Sequence, residues 1–318
     1  MVKRRKIITL IFLVIVLIFF SFVIFQFSKE NKLVDVFIPK GSSPRKISKI
    51  LKDSKIINSQ NLFLALVKIY GCSSDLKAGV YEFHTKDSLN TIIYKLKDGK
   101  CKNLKITIPE GFNIKQIAEV LAEHNICNKE KFVDLATSQN MEGYLFPNTY
   151  FLFPQMTELE IIKIMTDEFN KFWTKEKKDR LQEINKSLND VIILASMVEK
   201  EAIADNERPV IAGVFLNRLS KNMRLESCST VLYAMGINKE RLSLKDLKFE
   251  SPYNTYKYKG LPPGPICNPG AKSINAVLYP QITDSLFFVS KGNGTHYFSS
   301  TFEQHVKNKM ETKKTIIN

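Results

Sequence analysis

The sequence predicts an α+β protein in three parts: a single apolar N-terminal helix, a duplicated strand–helix module, and a mainly helical C-terminal domain. Three observations carry this reading. Residues 7–27 hold no charged side chain, the chain aligns with itself at an offset of 70 residues, and residues 191–202 carry an apolar stripe at helical spacing. The 318 residues suffice for two compact domains, and 44% hydrophobic against 25% charged residues is a globular composition.

The first element follows from residues 7–27, a 21-residue run in which Thr9, Ser21 and Gln26 are the polar members. At about 1.5 Å per residue such a run matches a hydrocarbon core of about 30 Å, so a transmembrane helix is expected. Lys3, Arg4, Arg5 and Lys6 precede it, and basic flanks stay in the cytoplasm. A cleaved signal peptide would have a shorter apolar stretch and a small-x-small site, which the residues after Gln26 lack. The expected placement is single-pass in the inner (cell) membrane: tail 1–6 cytoplasmic, helix 7–27, the remainder extracytoplasmic. An outward domain has no ATP, which argues against a nucleotide enzyme and against nucleic acid as a partner. The formal charge of +15 does not reverse this. It comes from 47 basic and 32 acidic residues, with only eight Arg among the basic ones, and Lys suits loose attraction to polyanions rather than bidentate reading.

The second element is the repeat. Ile38-Pro39-Lys40-Gly41 aligns with Ile108-Pro109-Glu110-Gly111, and Ile47, Leu51, Ile56 and Asn58 align with Ile117, Leu121, Ile126 and Asn128. Each copy opens with an alternating strand (34–38 and 104–108) closed by a Pro-x-Gly turn. An amphipathic helix follows, marked by Ile47, Ile50 and Leu51 in one copy and Ile114, Ile117, Ala118 and Leu121 in the other. Between them, 76–83 reads as a strand and 89–96 as a helix ending at Gly99. The module is bounded at 28–157, with repeats near 34–100 and 104–157. The aromatics of segment 142–150 suit either a sugar site or a seal at the junction with the domain at 158–318, and the seal is the expected role.

In that third part, Val191, Leu194, Ala195, Val198 and Ala202 share one helix face. Glu199 and Glu201 lie about 200° apart around the axis, so they cannot both face one cleft. Glu201 falls beside Leu194 and Val198. A carboxyl bordered by apolar side chains loses hydration, which favours its neutral form, as a glycosidic acid requires; the same position also suits a solvated flank residue, and periodicity does not separate the two. Asp205 either shares the face of Glu201 or caps the next helix, which Pro209 starts nearby. Tyr253-Asn254-Thr255-Tyr256 sets rings and an amide in a loop, and sugars present both C–H faces and hydroxyls to such groups. Residues 260–265 form a stiff Pro/Gly loop. Asn217 and Arg218 end the helix after Pro209. His296 has no second His or Cys at ligand spacing, and the five cysteines (Cys72, Cys101, Cys127, Cys228, Cys267) show no C-x-x-C pair, so they read as packing residues and neither a metal nor a cofactor is expected.

The run ASMVEKEA, followed by ERPVIAGVFLNRL, MRLESCSTVLYAMG, SPYNTYKYKGLPPGPICNPG and GNGTHYF, resembles the endolytic murein transglycosylase (YceG-like) family, from the N-terminal span to about Asn308. The resemblance implies LysM-like repeats, a lysozyme-like catalytic domain, and Glu201, the second Glu of E-K-E, as catalytic acid with Glu199 a structural neighbour. It implies a lyase that cuts the MurNAc–GlcNAc β-1,4 bond within glycan strands, leaves 1,6-anhydro ends and terminates nascent strands. Substrate contacts are expected from Tyr253, Asn254, Thr255, Tyr256, Thr230 and Asn217, and the partners are peptidoglycan strands, the cytoplasmic membrane and peptidoglycan synthases. Two positions depart from the common pattern. Cys228-Ser229-Thr230 stands where Asp-Pro-Thr or Cys-Ala-Thr is usual, and Asn148 replaces an Asp. The competing readings are a muramidase that hydrolyses the same bond and a non-catalytic wall-binding scaffold.

Overall fold

The computed structural model describes residues 31–154, 156–239 and 242–317. The protein is α+β, as expected. The expected membrane helix at 7–27 lies outside the described residues, and among those described no helix is long and apolar enough to cross a membrane. The single-pass inner-membrane placement, with its cytoplasmic tail and outward-facing domain, is accordingly withdrawn.

The described chain forms two compact units, 31–104 with 153–154, and 105–152 with 156–317. In the first, β1 (Leu33–Ile38), α1 (Pro44–Asp53), α2 (Gln60–Ile69) and β2 (Gly79–His84) follow one another, and α3 (Leu89–Asp98) closes the unit. β1 pairs antiparallel with β2, Leu33 opposite His84 and Ile38 opposite Gly79. The alternation read in the sequence puts Val36 and Ile38 on the core side, against Ile47, Leu51, Phe63, Val67, Tyr81, Phe83 and Leu96. Helix starts follow local chemistry: Ser43, Ser59 and Ser88 each accept from the backbone N–H three residues on.

The second unit repeats that order. β3 (Leu104–Thr107), α4 (Ile114–Glu123), α5 (Lys129–Ser138) and β4 (Thr149–Leu152) succeed one another, and β3 pairs with β4. Each copy is therefore strand–helix–helix–strand, and the strand read from the sequence as lying between the copies closes the first. Both Pro-x-Gly turns put glycine at positive φ, Gly41 at 70° and Gly111 at 78°, a region that side chains with a Cβ disfavour. α6 (Glu158–Phe172) starts from a capping box of Thr157 and Glu160. It is followed by α7 (Lys175–Glu183), α8 (Leu188–Glu201), α9 (Arg208–Ser220), α10 (Cys228–Met235) and α11 (Ala271–Leu278). A hairpin of β5 (Phe287–Ser290) and β6 (His296–Ser299) and the helix α12 (Phe302–Ile317) complete the chain.

α8 is the spine of this unit. All of its residues from Val191 to Val198 are buried, packed with Ile211, Phe215, Ile274 and Val277. A helix apolar on every side is a core element, so its polar C-terminal turn is the part that can carry chemistry.

Candidate active site

Ser196, fully buried in α8, donates to the Ile193 carbonyl at 2.7 Å and accepts from the Ile266 N–H at 3.0 Å. It thereby pins the Pro/Gly-rich loop to the helix. One turn on, the side chain of Glu199 is 6% exposed. Its Oε1 accepts from Arg208 Nη1 and its Oε2 from the Gly270 N–H, each at 3.0 Å. Arg208 also donates to Ser273 Oγ at 2.5 Å and to Asp205 Oδ1 at 3.1 Å. Both oxygens of Glu199 are spent on structure, and Asp205 serves the same knot rather than the face of Glu201.

The second repeat copy is stitched to this region. Gly111 N donates to the Asn268 carbonyl at 2.9 Å and Asn268 N to the Phe112 carbonyl at 2.9 Å. The buried amide of Asn268 accepts from Leu145 N at 2.8 Å and donates to Glu142 Oε1 at 3.0 Å. Glu142 Oε2 accepts from Ile114 N at 3.2 Å and from the Tyr233 hydroxyl at 3.3 Å. The same segment carries rings as well as this polar knot, with Tyr144 and Phe146 packed on Phe169.

Burial pushes the Glu142 carboxyl up to about 7, against the pull of its four donors at Ile114, Tyr233, Gly143 and Asn268. The folded state therefore holds this proton more tightly than the unfolded chain. Its contribution to stability is complete below the ordinary value of 4.5 and is lost as pH rises to about 7. Thermal unfolding followed across that window should show a decline of about 3 kcal/mol at this group, and Glu142→Gln should flatten it. An unchanged slope in the variant would assign the decline elsewhere.

Glu201 ends α8 and is half-buried. It does not stand bare among apolar side chains, as its sequence neighbours suggest, but among hydroxyls. Its Oε1 accepts from Ser227 Oγ at 2.5 Å and lies 3.0 Å from Ser229 Oγ. Those serines bracket the start of α10. The main chain of Ser227 donates to Thr255 Oγ1 at 3.0 Å, and Thr255 Oγ1 meets Thr230 Oγ1 at 2.9 Å. Thr230 and Thr255 are buried and reach the carboxyl through Ser227.

The other expected substrate contacts divide. Tyr256 is partly buried with its hydroxyl 3.0 Å from Cys228 Sγ, and Tyr253 is partly buried with its ring centroid 5.1 Å from that of Tyr233. Asn254 is fully buried and spends its side chain on the loop itself, donating to the Leu247 and Phe249 carbonyls and accepting from Tyr256 N. Asn217 donates to the Thr283 and Ser285 carbonyls, away from the hydroxyl cluster. His296 is buried and pairs through Nδ1 with Glu207 Oε2 at 2.7 Å. Cys228 is exposed, unlike the packing residue expected. Ser227, Asn268 and Glu142 are not site candidates by sequence, and Ser229 is met there only as a departure from the family pattern. The two serines lie at a helix start, where such residues read as caps, and nothing local marks them as partners of a carboxyl 26 and 28 residues earlier.

Residues 36–311 match the YceG-like family. The endolytic murein transglycosylase of Bacillus subtilis is 37% identical over 309 residues, covering 88% of this chain and 85% of that protein. Its namesake in Streptococcus pneumoniae is 29% identical over 330 residues, covering 89% of this chain but only 59% of the longer pneumococcal protein. The crystal structure of a YceG-like protein from Listeria monocytogenes superposes with a TM-score of 0.58 at 36% identity, over 87% of this chain and 99% of that one. With the family match spanning the described fold from the first strand to the last helix, this chain belongs to the YceG-like family.

Proposed function

We propose that this chain is an endolytic peptidoglycan lytic transglycosylase that cleaves the MurNAc–GlcNAc β-1,4 bond within glycan strands, with Glu201 serving in turn as acid and base. The names of its relatives support the reaction class. The observation that carries the single-acid mechanism is how the carboxylates around Glu201 are used. Glu199 is bound to Arg208 and Glu226 to Arg218, each at 3.0 Å, whereas Glu201 bonds to neutral hydroxyls. An ordinary glycosidase needs two working carboxyls; one suffices where the sugar supplies its own nucleophile.

Glu201 gives its proton to the glycosidic oxygen as the bond to MurNAc C1 breaks. The carboxylate then takes the proton of the MurNAc C6 hydroxyl, whose oxygen closes on C1. No water enters. The strand–helix–helix–strand repeats support a LysM-like reading in which they hold the glycan, and the same chemistry suits shortening of nascent strands beside the synthases that extend them.

Product mass tests the reaction. Full-length protein incubated with peptidoglycan should leave 1,6-anhydro ends, one water lighter than the reducing ends of hydrolysis. Products that carry the added water would replace this reading by a muramidase. Glycan retained without cleavage would leave a wall-binding scaffold.

A further inference from the structure

We infer that Ser227 and Ser229 divide the work of the Glu201 carboxyl, holding Oε1 so that Oε2 is the oxygen that exchanges protons with the substrate. The inference rests on the proposed reaction. Three oxygens form a tight triangle: Ser227 Oγ to Glu201 Oε1 at 2.5 Å, Ser229 Oγ to the same Oε1 at 3.0 Å, and the two hydroxyls 2.6 Å apart. Two hydroxyl protons must serve these three contacts when the carboxyl is ionised. Oxygens at 2.6 Å need a proton between them, so one serine donates to the other. Ser227, the nearer to the carboxylate, donates to Oε1, and Ser229 donates to Ser227. The result is a relay of aligned dipoles, Ser229 to Ser227 to Glu201, each bond strengthening the next. Oε2 accepts no hydrogen bond from the described residues.

The surroundings hold Ser227 where this geometry needs it. It is 2% exposed, its N–H bonds Thr255 and its carbonyl accepts from Thr230 Oγ1 at 2.8 Å. The residue before it, Glu226, has φ of 51°, a left-handed conformation that costs a non-glycine residue energy and persists only when neighbours enforce it. Arg218 enforces it, with Nη1 on the carbonyls of Arg224 and Leu225 and on the Glu226 carboxylate. As Oε2 releases its proton, negative charge grows over the carboxyl. A hydroxyl already aimed at Oε1 meets that charge without reorganisation. The serines keep their own protons throughout: one proton leaves Oε2 for the glycosidic oxygen and one returns to it from the C6 hydroxyl.

The test is steady-state cleavage of peptidoglycan by the full chain and its Ser227→Ala, Ser227→Thr, Ser229→Ala and doubly Ala-substituted forms, with melting temperatures alongside. Ser227→Ala should lower kcat about a hundredfold with KM held within about twofold. Ser227→Thr, which keeps the hydroxyl, should recover most of the loss. Ser229→Ala should cost about tenfold in kcat. The double variant should be no slower than Ser227→Ala, because Ser229 acts through Ser227. Overturning results are an unchanged kcat in Ser227→Ala, a loss confined to KM, no recovery in Ser227→Thr, or losses that multiply in the double variant. Should Ser227→Ala fail to fold, Ser229→Ala decides, and an undiminished kcat there overturns the relay. If the wild type makes no anhydro ends, or Glu201→Gln turns over normally, the proposed reaction fails. If those hold and the serine variants turn over normally, the relay alone fails.

Discussion

Glu201→Gln is expected to lower turnover on peptidoglycan about ten-thousandfold while leaving the fold intact. An amide can neither give the proton that releases the leaving sugar nor take the one from the C6 hydroxyl, so both halves of the reaction lose their catalyst, and acid–base assistance of this kind is worth up to about 10⁴. The side chain is only half-buried, and the amide oxygen can still accept from Ser227, so unfolding is not the expected cause. Equal melting temperatures with a collapsed kcat would establish the role. Turnover within about tenfold of the wild type would remove Glu201 from the chemistry, since loss of a working acid–base group costs about 10²–10⁴.

Arg208→Ala should have the largest effect on stability, about 3–5 kcal/mol, the usual cost of breaking a buried ion pair from one side. Arg208 and Glu199 are 8% and 6% exposed, and the guanidinium also faces Glu110. That carboxyl sits against Gly270, and burial and the charge of Glu199 push it above its ordinary range while Arg208 and Lys272 pull it down. Without the guanidinium, Glu199 keeps only the Gly270 N–H and confronts Glu110 unscreened. A fall in melting temperature of about 10 °C is the expected reading for a domain of this size. Adding Glu199→Gln should restore part of it by removing the stranded charge. A melting temperature that does not change in Arg208→Ala would show that the pair contributes nothing net.

Much of the fold is legible in short-range signals. The 70-residue offset, the two Pro-x-Gly turns and the apolar spacing of Ile47 with Leu51 and Ile117 with Leu121 identify both repeat copies, because strand alternation, positive-φ turns and helix faces depend on near neighbours. The second helix of each copy and the pairing of 33–38 with 79–84 are less visible, since that pairing joins segments about 40 residues apart. The apolar run at 7–27 is legible by hydropathy and lies outside the described residues, among which no helix is long and apolar enough to cross a membrane. At the site, the apolar neighbours of Glu201 in sequence suggested a dry carboxyl, yet the groups that touch it are hydroxyls from another helix start. Asn254 looked suited to a sugar because its loop is rich in rings, and folding turns its amide inward to three main-chain partners.

By itself the sequence determined the α+β class, the duplicated module, the apolar helix at 191–202 and, through its motifs, the family and the acid to suspect. Only the tertiary structure decided which of two neighbouring glutamates is bound to an arginine and which is offered to hydroxyls, and which oxygen of that carboxyl is held. The physical reason is range. Periodicity and turn chemistry act over a few residues, whereas the environment of a carboxyl is set by whatever the packed chain brings within 3 Å of it, here from 26 and 28 residues away.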